Sequence, residues 1–432
     1  MDRAMNEVVQ LKYGEDTVSV EIKNAASIET ILPRQMEEID DVQEAFIHAV
    51  TDEAYGGVTL KEAISETDKV TIVVSDITRS WMHQDKIMPL LVNYLHEEIQ
   101  VPYENMVVVI ALGTHRHSTP QELVKICSQE VCDKVQVVDH DCDAPDLVYV
   151  GTTSRGTKVE VNKLVVGRKV IVVGGTVHHM MAGFGGGRKN LLPGVAGRET
   201  IRQNHSRALD PNKAMSDARV GCCLLKDNPI HEDMAEAAAL VEVAFSINLV
   251  VSSTGVHSGI FGGKLDEAWK ASCDYQRKCY EIEIEKQADI VVCSTGGYPK
   301  DMNLYQGCKG MLNAMRALKP GGTMLWACKC PEGGGAPDYF NWLKPLTEGH
   351  LDASLRADFT IGGYIFYLTV EQLNKAEHVY TLTQLSPEMV KPMGIEASDD
   401  LQTLLNQIDF TGKDVYVLPF AGSVVPMFEE QA

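Results

Sequence analysis

The sequence predicts an α/β protein of two domains, each built on a mostly parallel sheet flanked by helices. Short apolar runs rich in β-branched residues alternate with segments of helical periodicity, which is typical of parallel strands joined by crossover helices. The chain has 432 residues, enough for two or three domains of about 100–200 residues each. Its 44% hydrophobic residues suffice for ordinary buried cores.

The apolar runs are predicted as strands and the periodic segments as helices. The predicted strands are Val70–Ser75, Met106–Ala111, Lys134–Val138, Lys169–Val173, Asp289–Ser294, Thr323–Ala327, Val379–Thr383 and Val415–Leu418. The predicted helices are Asp85–Ile99, Pro120–Cys127, Arg198–Ala208 and Asn303–Leu318. Before these, the chain is expected to hold a few short amphipathic strands.

A charged helical stretch, roughly Leu265–Ala288, interrupts the alternation and is predicted to connect the domains. We therefore expect an N-terminal α/β domain over residues 1–268, a helical connector over 269–288 and a C-terminal α/β domain over 289–432. Ligands of parallel sheets collect beyond the carboxyl ends of the strands. The active site is expected in the cleft between the domains, with a hinge at the connector.

Composition excludes several classes of protein. The formal net charge of -21 argues against broad binding of nucleic-acid backbones, which needs a basic face. An acidic surface around a basic pocket suits an enzyme that focuses a small anion into a cleft. No run approaches the ~18 apolar residues of a membrane span, and no apolar signal core is present. The eleven cysteines include no C-x-x-C pair, so we expect reduced thiols in a cytoplasmic protein.

The stretch from Gly174 to His205 combines a glycine-rich turn with basic residues. Glycines at 183 and 185–187 are predicted to let backbone N–H groups converge on an anion. Arg188 and Lys189 add positive charge there. A phosphate-binding transferase that uses the Gly183–Lys189 loop is an alternative, although Arg188 and Asn190 depart from the G-x-x-x-x-G-K-[ST] pattern.

Histidines flank this loop on both sides. His178 and His179 are adjacent in an extended segment, so their side chains point in opposite directions and only one is expected to reach the site. His205 falls on a predicted helix, one turn after Ile201. We expect His179, Lys189 and His205 to face one anionic or metal-bearing ligand.

Polar residues also follow the first two predicted strands. Asp76 and Thr78 suit a tight turn, and Arg79 offers a planar two-donor clamp for carboxylate or phosphate. His115 lies on the loop after the second strand, just before a helix start at Thr119. A loop histidine above a buried strand points to function. A zinc hydrolase built on His115, His117, His178 and His179 is a further alternative, weakened by the absence of an H-E-x-x-H spacing.

A fourth polar segment follows the strand that ends at Ser294. Asn303 can cap a helix, and Gln306 and Lys309 are three residues apart on one face of its first turns. An amide and an ammonium group placed in this way can hold a carboxylate.

Together these segments resemble the nickel-dependent lactate racemase family. The resemblance runs from about Lys69 to Leu318 and fades towards the C-terminus. Its motifs are a D-x-T-R turn (Asp76 to Arg79), a G-x-H-R-x-S-T loop (Gly113 to Thr119), H-x-x-A-G-F-x-G-G-R-K (His179 to Lys189), L-P-G and N-H (Asn204, His205), and G-G-Y-P-x-D-x-N-x-Y-Q-x-x-K (Gly296 to Lys309).

The resemblance implies a nickel-pincer cofactor, a pyridinium-3,5-bisthiocarboxylic acid mononucleotide that binds nickel through sulfur and carbon. It puts Lys189 at the lysine that can tether the cofactor, His205 at the protein ligand of nickel, and His115 and His179 at the paired acid/base histidines. Substrate and anionic groups would be held by Arg79, Tyr305, Gln306 and Lys309. The implied cofactor contacts also include Asp76, Thr78, Arg79, Gly186, Gly187 and Arg188. Partners would be a small 2-hydroxy acid and the enzymes that build the cofactor.

The pocket lining departs from the family pattern. Met180 and Met181 replace the usual pair of phenylalanines, Gly185 replaces a serine, and Lys300 stands where an apolar residue is common. We therefore expect a racemase or epimerase of a 2-hydroxy acid, with lactate as one candidate. Hydride and the hydroxyl proton would leave the same carbon to give a planar 2-oxo acid, which can be reduced again from either face. A non-catalytic carrier of the cofactor is the third alternative.

Overall fold

The computed structural model describes residues 4–252, 254–335 and 338–428. The chain divides into two compact units. The first unit comprises Met1–Arg34, Asn212–Ser216 and Lys278–Ala432, and the second comprises Gln35–Pro211 and Asp217–Arg277. Within the described residues, no helix has the length and apolar character needed to cross a membrane.

The elements of the first unit lie at both ends of the chain. In the numbering of the whole chain its strands are β1 (Met5–Tyr13), β2 (Asp16–Ala25), β3 (Ser27–Thr30), β14 (Glu281–Glu283), β15 (Ala288–Ser294), β16 (Leu318–Ala327), β17 (His378–Leu382), β18 (Glu396–Ser398), β19 (Asp414–Leu418) and β20 (Val425–Met427). Its helices are α9 (Leu304–Met315), α10 (Leu343–Thr347), α11 (Leu351–Ala357), α12 (Ile361–Leu373), α13 (Pro387–Val390) and α14 (Leu401–Leu405).

The central sheet of the first unit is parallel throughout. Its order is β18-β17-β16-β15-β19-β3. From β15 the next strands along the chain, β16 to β18, are added on one side, and β19 is then added on the other side. The strand order therefore reverses between β15 and β19. In sheets of this kind the crevice for ligands opens at such a reversal, beyond the carboxyl ends. The segment after Ser294 starts there.

A buried carboxylate ties the N-terminal hairpin β1–β2 to this sheet. Asp301 lies after β15 and is fully buried. Its Oδ2 accepts the backbone N–H of Gly14, in the hairpin turn, at 2.7 Å, and that of Lys329, after β16, at 3.3 Å. Val20 and Val292 lie in one apolar cluster of hairpin and sheet. Polar and apolar contacts therefore both hold the hairpin in the first unit.

The second unit contains the remaining elements. Its strands are β4 (Val70–Ser75), β5 (Met106–Ala111), β6 (Gln136–Asp139), β7 (Val148–Thr152), β8 (Lys158–Val161), β9 (Lys169–Gly175), β10 (His178–His179), β11 (Gly183–Phe184), β12 (Val243–Val251) and β13 (His257–Gly263). Its helices are α1 (Val42–Val50), α2 (Leu60–Ala63), α3 (Gln84–Asn93), α4 (Pro120–Cys127), α5 (Gln129–Lys134), α6 (Arg198–His205), α7 (Pro229–Ala238) and α8 (Leu265–Tyr280), whose last turn crosses into the first unit.

The main sheet of the second unit has the order β13-β12-β9-β4-β5-β6, parallel except for β13 at the edge. In chain order the parallel strands read 3-2-1-4-5, the arrangement of doubly wound sheets, with its reversal between β4 and β9. Ile72, Ile110 and Val173 from its strands and Leu91 from α3 belong to one buried cluster. This core fixes the carboxyl ends of β4, β5 and β9 side by side.

Much of the predicted secondary structure is confirmed. Val70–Ser75, Met106–Ala111 and Pro120–Cys127 form with the predicted bounds. These segments succeed because β-branched runs favour strands and a capping box marks a helix start. Both halves of the box at Thr119 are present.

Other predicted segments differ from the structure in their bounds, and two examples show why. The predicted strand Lys134–Val138 begins two residues too early, since Lys134 ends α5 and the strand is Gln136–Asp139. The predicted helix Asp85–Ile99 is α-helical only to Asn93 and continues as a π-helical turn over Tyr94–Glu98. Apolar spacing predicted both elements but not where the hydrogen-bond pattern changes.

The units also differ from the predicted contiguous domains over 1–268 and 289–432. The first 34 residues belong with the C-terminal sheet because β3 pairs with β19 at its edge. The predicted connector, Leu265–Ala288, is instead the helix α8, the strand β14 and the start of β15. Trp269 and Cys273 on α8 are buried in an apolar cluster with Phe184, so most of this helix is part of the second unit.

We predict that Asp301→Ala lowers the stability of the first unit by about 2–4 kcal/mol, because two backbone N–H groups lose a charged acceptor in a buried setting. Urea unfolding followed by circular dichroism measures this. Asp301→Asn keeps one acceptor oxygen and should lie between wild type and alanine. Asp409→Ala is the matched control, since Asp409 is an exposed loop carboxylate of the same unit. Equal losses for Asp301→Ala and Asp409→Ala would contradict the assignment.

Candidate active site

The candidate site of the second unit lies at the reversal between β4 and β9. Asn190 ties these strands together, because its side chain accepts from the Ser75 hydroxyl at 3.2 Å and donates to the Val173 carbonyl at 2.7 Å. Gly174 permits this contact, since a Cβ there would lie 2.9 Å from the Asn190 amide. The loops after β4 and β9 are therefore fixed relative to each other.

The turn after β4 holds a buried carboxylate that orients a histidine. Asp76 Oδ2 lies 2.6 Å from His115 Nδ1, and Asp76 Oδ1 accepts from the Thr78 hydroxyl at 2.6 Å. Burial raises the pKa of Asp76, but the hydrogen bond and charge of His115 outweigh it and leave the pKa below the ordinary value. The ionised carboxylate accepts from Nδ1–H, so the neutral ring keeps its lone pair on Nε2. The His115 side chain is 54% exposed and open to a reactant.

Arg79 lies beside this turn, half-buried. Its Nη1 donates to the carbonyl of Thr78 at 3.3 Å and to the Thr78 hydroxyl at 3.2 Å. The predicted D-x-T-R turn is thus one hydrogen-bonded group, in which Asp76, Thr78 and Arg79 form a chain that leads to His115.

His179 is held in the opposite way. It lies on β10, which pairs with β11 in a short hairpin. Its Nδ1 accepts the backbone N–H groups of Met181 and Ala182, both at 3.2 Å, and its Nε2 lies 2.7 Å from Lys189 Nζ. The Lys189 ammonium can only donate, so His179 meets hydrogen-bond donors at both ring nitrogens, and a neutral ring can accept at one of them. The surroundings of the two candidate acid/base histidines therefore differ: His115 has an acceptor at Nδ1, whereas His179 has donors at both ring nitrogens.

His205 has the properties of a metal ligand. It is buried at the end of α6, and its Nδ1 lies 3.0 Å from the Ile201 carbonyl, to which it donates. Burial, followed by the charge of Lys189, lowers the pKa of His205 to about 3. The ring is therefore neutral, with its lone pair on Nε2. A backbone carbonyl that binds the other ring nitrogen and so fixes the tautomer is the usual support for a metal-binding imidazole.

The helix that carries His205 is anchored by a buried network that the sequence did not reveal. Asp233 on α7 is fully buried and accepts from Asn204 at 2.8 Å, from Thr153 at 2.6 Å and from Thr157 at 2.8 Å. Asn204 belongs to the N-H motif, but no spacing in the sequence links it to Asp233. The network joins α6, α7 and the loop after β7.

The glycine loop is built differently from the prediction. The N–H of Gly185 donates to the Val177 carbonyl at 2.7 Å, and that of Gly187 donates to Asn248 Oδ1 at 3.0 Å. Convergence of these N–H groups on an anion is therefore wrong for Gly185 and Gly187, because protein acceptors already bind them. The phosphate-binding alternative loses its main support.

Arg188 is also placed differently. Its guanidinium is buried over the ring of Trp269, with 3.9 Å between Cζ and the ring centroid. Nη2 donates to Asp266 at 3.0 Å, and Nη1 lies 2.9 Å from His231 Nε2. The guanidinium charge interacts with Asp266 and the Trp269 ring inside the second unit, so the positive charge predicted beside Lys189 is buried. Cofactor contacts of Gly186, Gly187 and Arg188 stay predictions.

The neighbouring histidines do not build a metal site with the catalytic candidates. His117 Nδ1 lies 3.4 Å from Asp139 Oδ2 on an exposed side chain, and the His178 ring packs against Phe184 with 4.8 Å between centroids. Across the residues that the structure describes, no group of three potential ligands includes His115, His117 or His179. The four histidines of the zinc-hydrolase alternative therefore do not form one ligand set among the described residues.

In the first unit, the segment after β15 forms as predicted. Asn303 caps α9 by accepting the N–H of Gln306 at 3.0 Å. Lys309 Nζ donates to Gln306 Oε1 and lies 5.8 Å from the centroid of the Tyr305 ring. Tyr305, Gln306 and Lys309 are thus one half-buried group at the start of α9. Lys300 is exposed on the preceding loop and donates to the Ser423 hydroxyl.

Known proteins match this chain along most of its length. Residues 13–216 match the lactate racemase N-terminal domain, and residues 284–425 match the lactate racemase C-terminal domain. A lactate racemase of Thermoanaerobacterium thermosaccharolyticum is 31% identical over 340 residues, 78% of this chain and 78% of that protein. A lactate racemase of Lactiplantibacillus plantarum is 30% identical over 299 residues, 69% of this chain and 68% of that protein.

Two solved structures are similar to this chain. The lactate racemase apoprotein from Thermoanaerobacterium thermosaccharolyticum superposes with a TM-score of 0.85 at 26% identity, over 98% of this chain and all of that one (100%). A protein from Thermotoga maritima superposes with a TM-score of 0.65 at 16% identity, over 92% of this chain and 100% of that one, and is similar in fold.

We predict that His231 contributes to the acid sensitivity of the second unit. Burial, followed by the charge of Arg188, lowers the pKa of His231 to about 3. Because the unfolded chain takes up this proton near the ordinary pKa of about 6.5, stability falls as the pH drops from there towards 3. When the pH is lowered from 7 to 5, the free energy of unfolding should fall by up to about 2 kcal/mol less in His231→Gln than in wild type, as measured by urea unfolding. His117→Gln is the exposed control. Identical pH dependence in His231→Gln and wild type would refute the prediction.

Proposed function

The chain belongs to the lactate racemase family and is a racemase, and from that premise we propose that it inverts the hydroxyl-bearing carbon of a 2-hydroxy acid. The reaction would remove a hydride and a hydroxyl proton and return both, through a planar 2-oxo acid. Lactate is the first candidate substrate, since both sequence relatives are lactate racemases.

One observation carries the proposal: the 2.6 Å bond between Asp76 and His115 Nδ1. A buried carboxylate that fixes the tautomer of an exposed imidazole leaves Nε2 as a ready base. A structural histidine has no need of a free, oriented lone pair at the ligand crevice of the sheet. The arrangement supports His115 as the group that takes the hydroxyl proton from one enantiomer.

His179 is proposed as the partner that serves the other enantiomer. Its Nε2 can deliver a proton only when the ring carries two protons, because removal of hydrogen from the neutral ring would leave an anion. Nδ1 must then exchange its contacts with Met181 and Ala182, which at 3.2 Å are long hydrogen bonds. The two histidines therefore start each turnover from unequal states.

The residues of the second unit fit a nickel-pincer nucleotide. His205 is a neutral imidazole with its Nε2 lone pair available, suited to nickel. Lys189 lies beside His179 and would tether the nucleotide. When bound, this cofactor supplies an electrophilic carbon that can accept a hydride and give it back. The residues proposed to surround this cofactor are still Asp76, Thr78, Gly186, Gly187 and Arg188.

Arg79 in the second unit, and Tyr305, Gln306 and Lys309 in the first unit, are each kept as proposed ligands of substrate and anionic groups. Arginine and lysine supply charge, and the amide and the phenol supply hydrogen bonds. Met181 is buried behind the backbone contacts of His179. Since methionine adapts its shape more readily than phenylalanine, the proposed substrates include malate-like, longer aliphatic and sugar 2-hydroxy acids beside lactate.

The proposal is tested with protein produced together with nickel and the enzymes that build the cofactor, its cellular partners in this proposal. Single enantiomers of the candidate acids are incubated with it and analysed by chiral chromatography. We expect racemisation or epimerisation of at least one acid, and none with protein made without the cofactor. Nickel analysis and the mass of the Lys189 peptide verify loading. Fully loaded protein that epimerises no 2-hydroxy acid overturns the proposal.

We predict that His115→Ala and His179→Ala each reduce turnover by roughly 10²–10⁴, the usual contribution of a positioned acid or base. His117→Ala and His178→Ala are the matched neighbours and should retain most of the activity. Initial rates from both enantiomers measure this. Near-normal rates in both directions for either His115→Ala or His179→Ala would show that the assignment is wrong.

A further inference from the structure

Trp269 contacts three residues of the loop that leads to Lys189. The ring lies on α8 and is 1% exposed. Its Nε1–H donates to the Gly185 carbonyl at 2.8 Å, and its face carries the Arg188 guanidinium at 3.9 Å from the ring centroid. A Cβ on Gly187 would lie 2.7 Å from the ring. The indole therefore touches the backbone or the side chain at each of these positions.

The conformation of the loop is adapted to this ring. Gly187 has φ +50, a left-handed conformation that side chains rarely adopt, and its bare Cα lets the chain pass directly over the indole. Lys189 follows two residues later, inside a turn in which its N–H donates to the Gly186 carbonyl at 3.1 Å. A displacement of the ring would therefore move the Lys189 backbone.

Three further contacts hold the ring, its Arg188 partner and the helix that carries it. The His231 ring stacks on it with 5.5 Å between centroids and 23° between planes. Asp266, one turn earlier on α8, accepts from Arg188 at 3.0 Å. Ser272 on the same helix shares a 2.7 Å hydrogen bond with Thr176, the residue after β9. Helix α8 is thus fixed to the strand from which the loop departs.

We propose that Trp269 is a positioning residue that sets the place of the Lys189 amine against His179, with Arg188 as the link between ring and loop. The inference rests on the proposed role of Lys189 as the cofactor-tethering residue. Lys189 Nζ lies 2.7 Å from His179 Nε2. A reacting group displaced by about 1 Å can lose on the order of 10²-fold in rate, so a rigid platform under this loop has a catalytic consequence.

The test measures Lys189 directly, in protein without cofactor. Wild type, Trp269→Phe and Trp269→Leu are pulse-labelled with N-hydroxysuccinimide acetate, and mass spectrometry gives the labelling of Lys189 relative to the exposed Lys158. Trp269→Leu should raise this ratio by about 10-fold, because the loop opens locally and frees the amine. Trp269→Phe keeps a ring under Arg188 and loses the hydrogen bond to Gly185, so it should raise the ratio by about 2- to 3-fold.

Cys273→Ala is the matched control. Cys273 lies one turn further along α8 in the same buried cluster, and its substitution leaves the indole in place. Thermal unfolding shows which variants are folded. If Trp269→Leu does not fold, Trp269→Phe decides. An unchanged or lower ratio in a folded Trp269 variant, or an equal rise in Cys273→Ala, overturns the inference.

Loaded enzyme supplies the second readout. Trp269→Leu should lower the fraction of Lys189 that carries the cofactor and reduce kcat by on the order of 10²-fold with little change in KM, and Trp269→Phe should restore most of kcat. Wild type that loads but shows no racemisation contradicts the proposed function and leaves the labelling result standing. Active wild type with a labelling ratio insensitive to Trp269 contradicts this inference alone.

Discussion

The candidate site depends on the reversal of strand order between β4 and β9. Parallel strands need right-handed crossovers, so a sheet that grows first to one side and then to the other leaves one place where neighbouring loops turn apart. The turn that contains Asp76 follows β4 at this place, and the loop that contains His179 and Lys189 follows β9. Asn190 spans the gap by binding Ser75 and Val173. This tie extends the pairing of β4 with β9 into the two loops and fixes how far apart they lie.

Hydrogen-bond polarity then assigns the chemistry. An acceptor at Nδ1 makes His115 a base at Nε2, whereas His179 meets two backbone donors at Nδ1 and the Lys189 ammonium at Nε2. The difference comes from what each ring meets: a buried carboxylate in one case and the amides of a short hairpin in the other. Burial keeps His205 neutral, and because its Nδ1–H binds the Ile201 carbonyl, the lone pair on Nε2 is available to a metal.

Buried polar groups that take no part in the proposed chemistry hold these side chains in place. Asp233 fixes the end of α6 that carries His205, and the guanidinium of Arg188 joins the lysine loop to α8. Each would be costly if left unpaired, so each constrains the elements that it bonds. The rigidity of the site therefore comes from neighbouring helices as much as from the sheet.

The sequence alone determined the α/β class, the strands that end at Ser75 and Ala111, and the short motifs with their histidines, because residue periodicity and capping act over a few residues. It did not determine that α8 packs through Trp269 or that the first strands join the C-terminal sheet, since an amphipathic pattern does not state which partner covers it. The same limit applies to the glycine loop. Composition indicated freedom of the backbone, but only the tertiary structure decided that Gly187 uses it to admit an indole ring, because the partner comes from some eighty residues further along the chain.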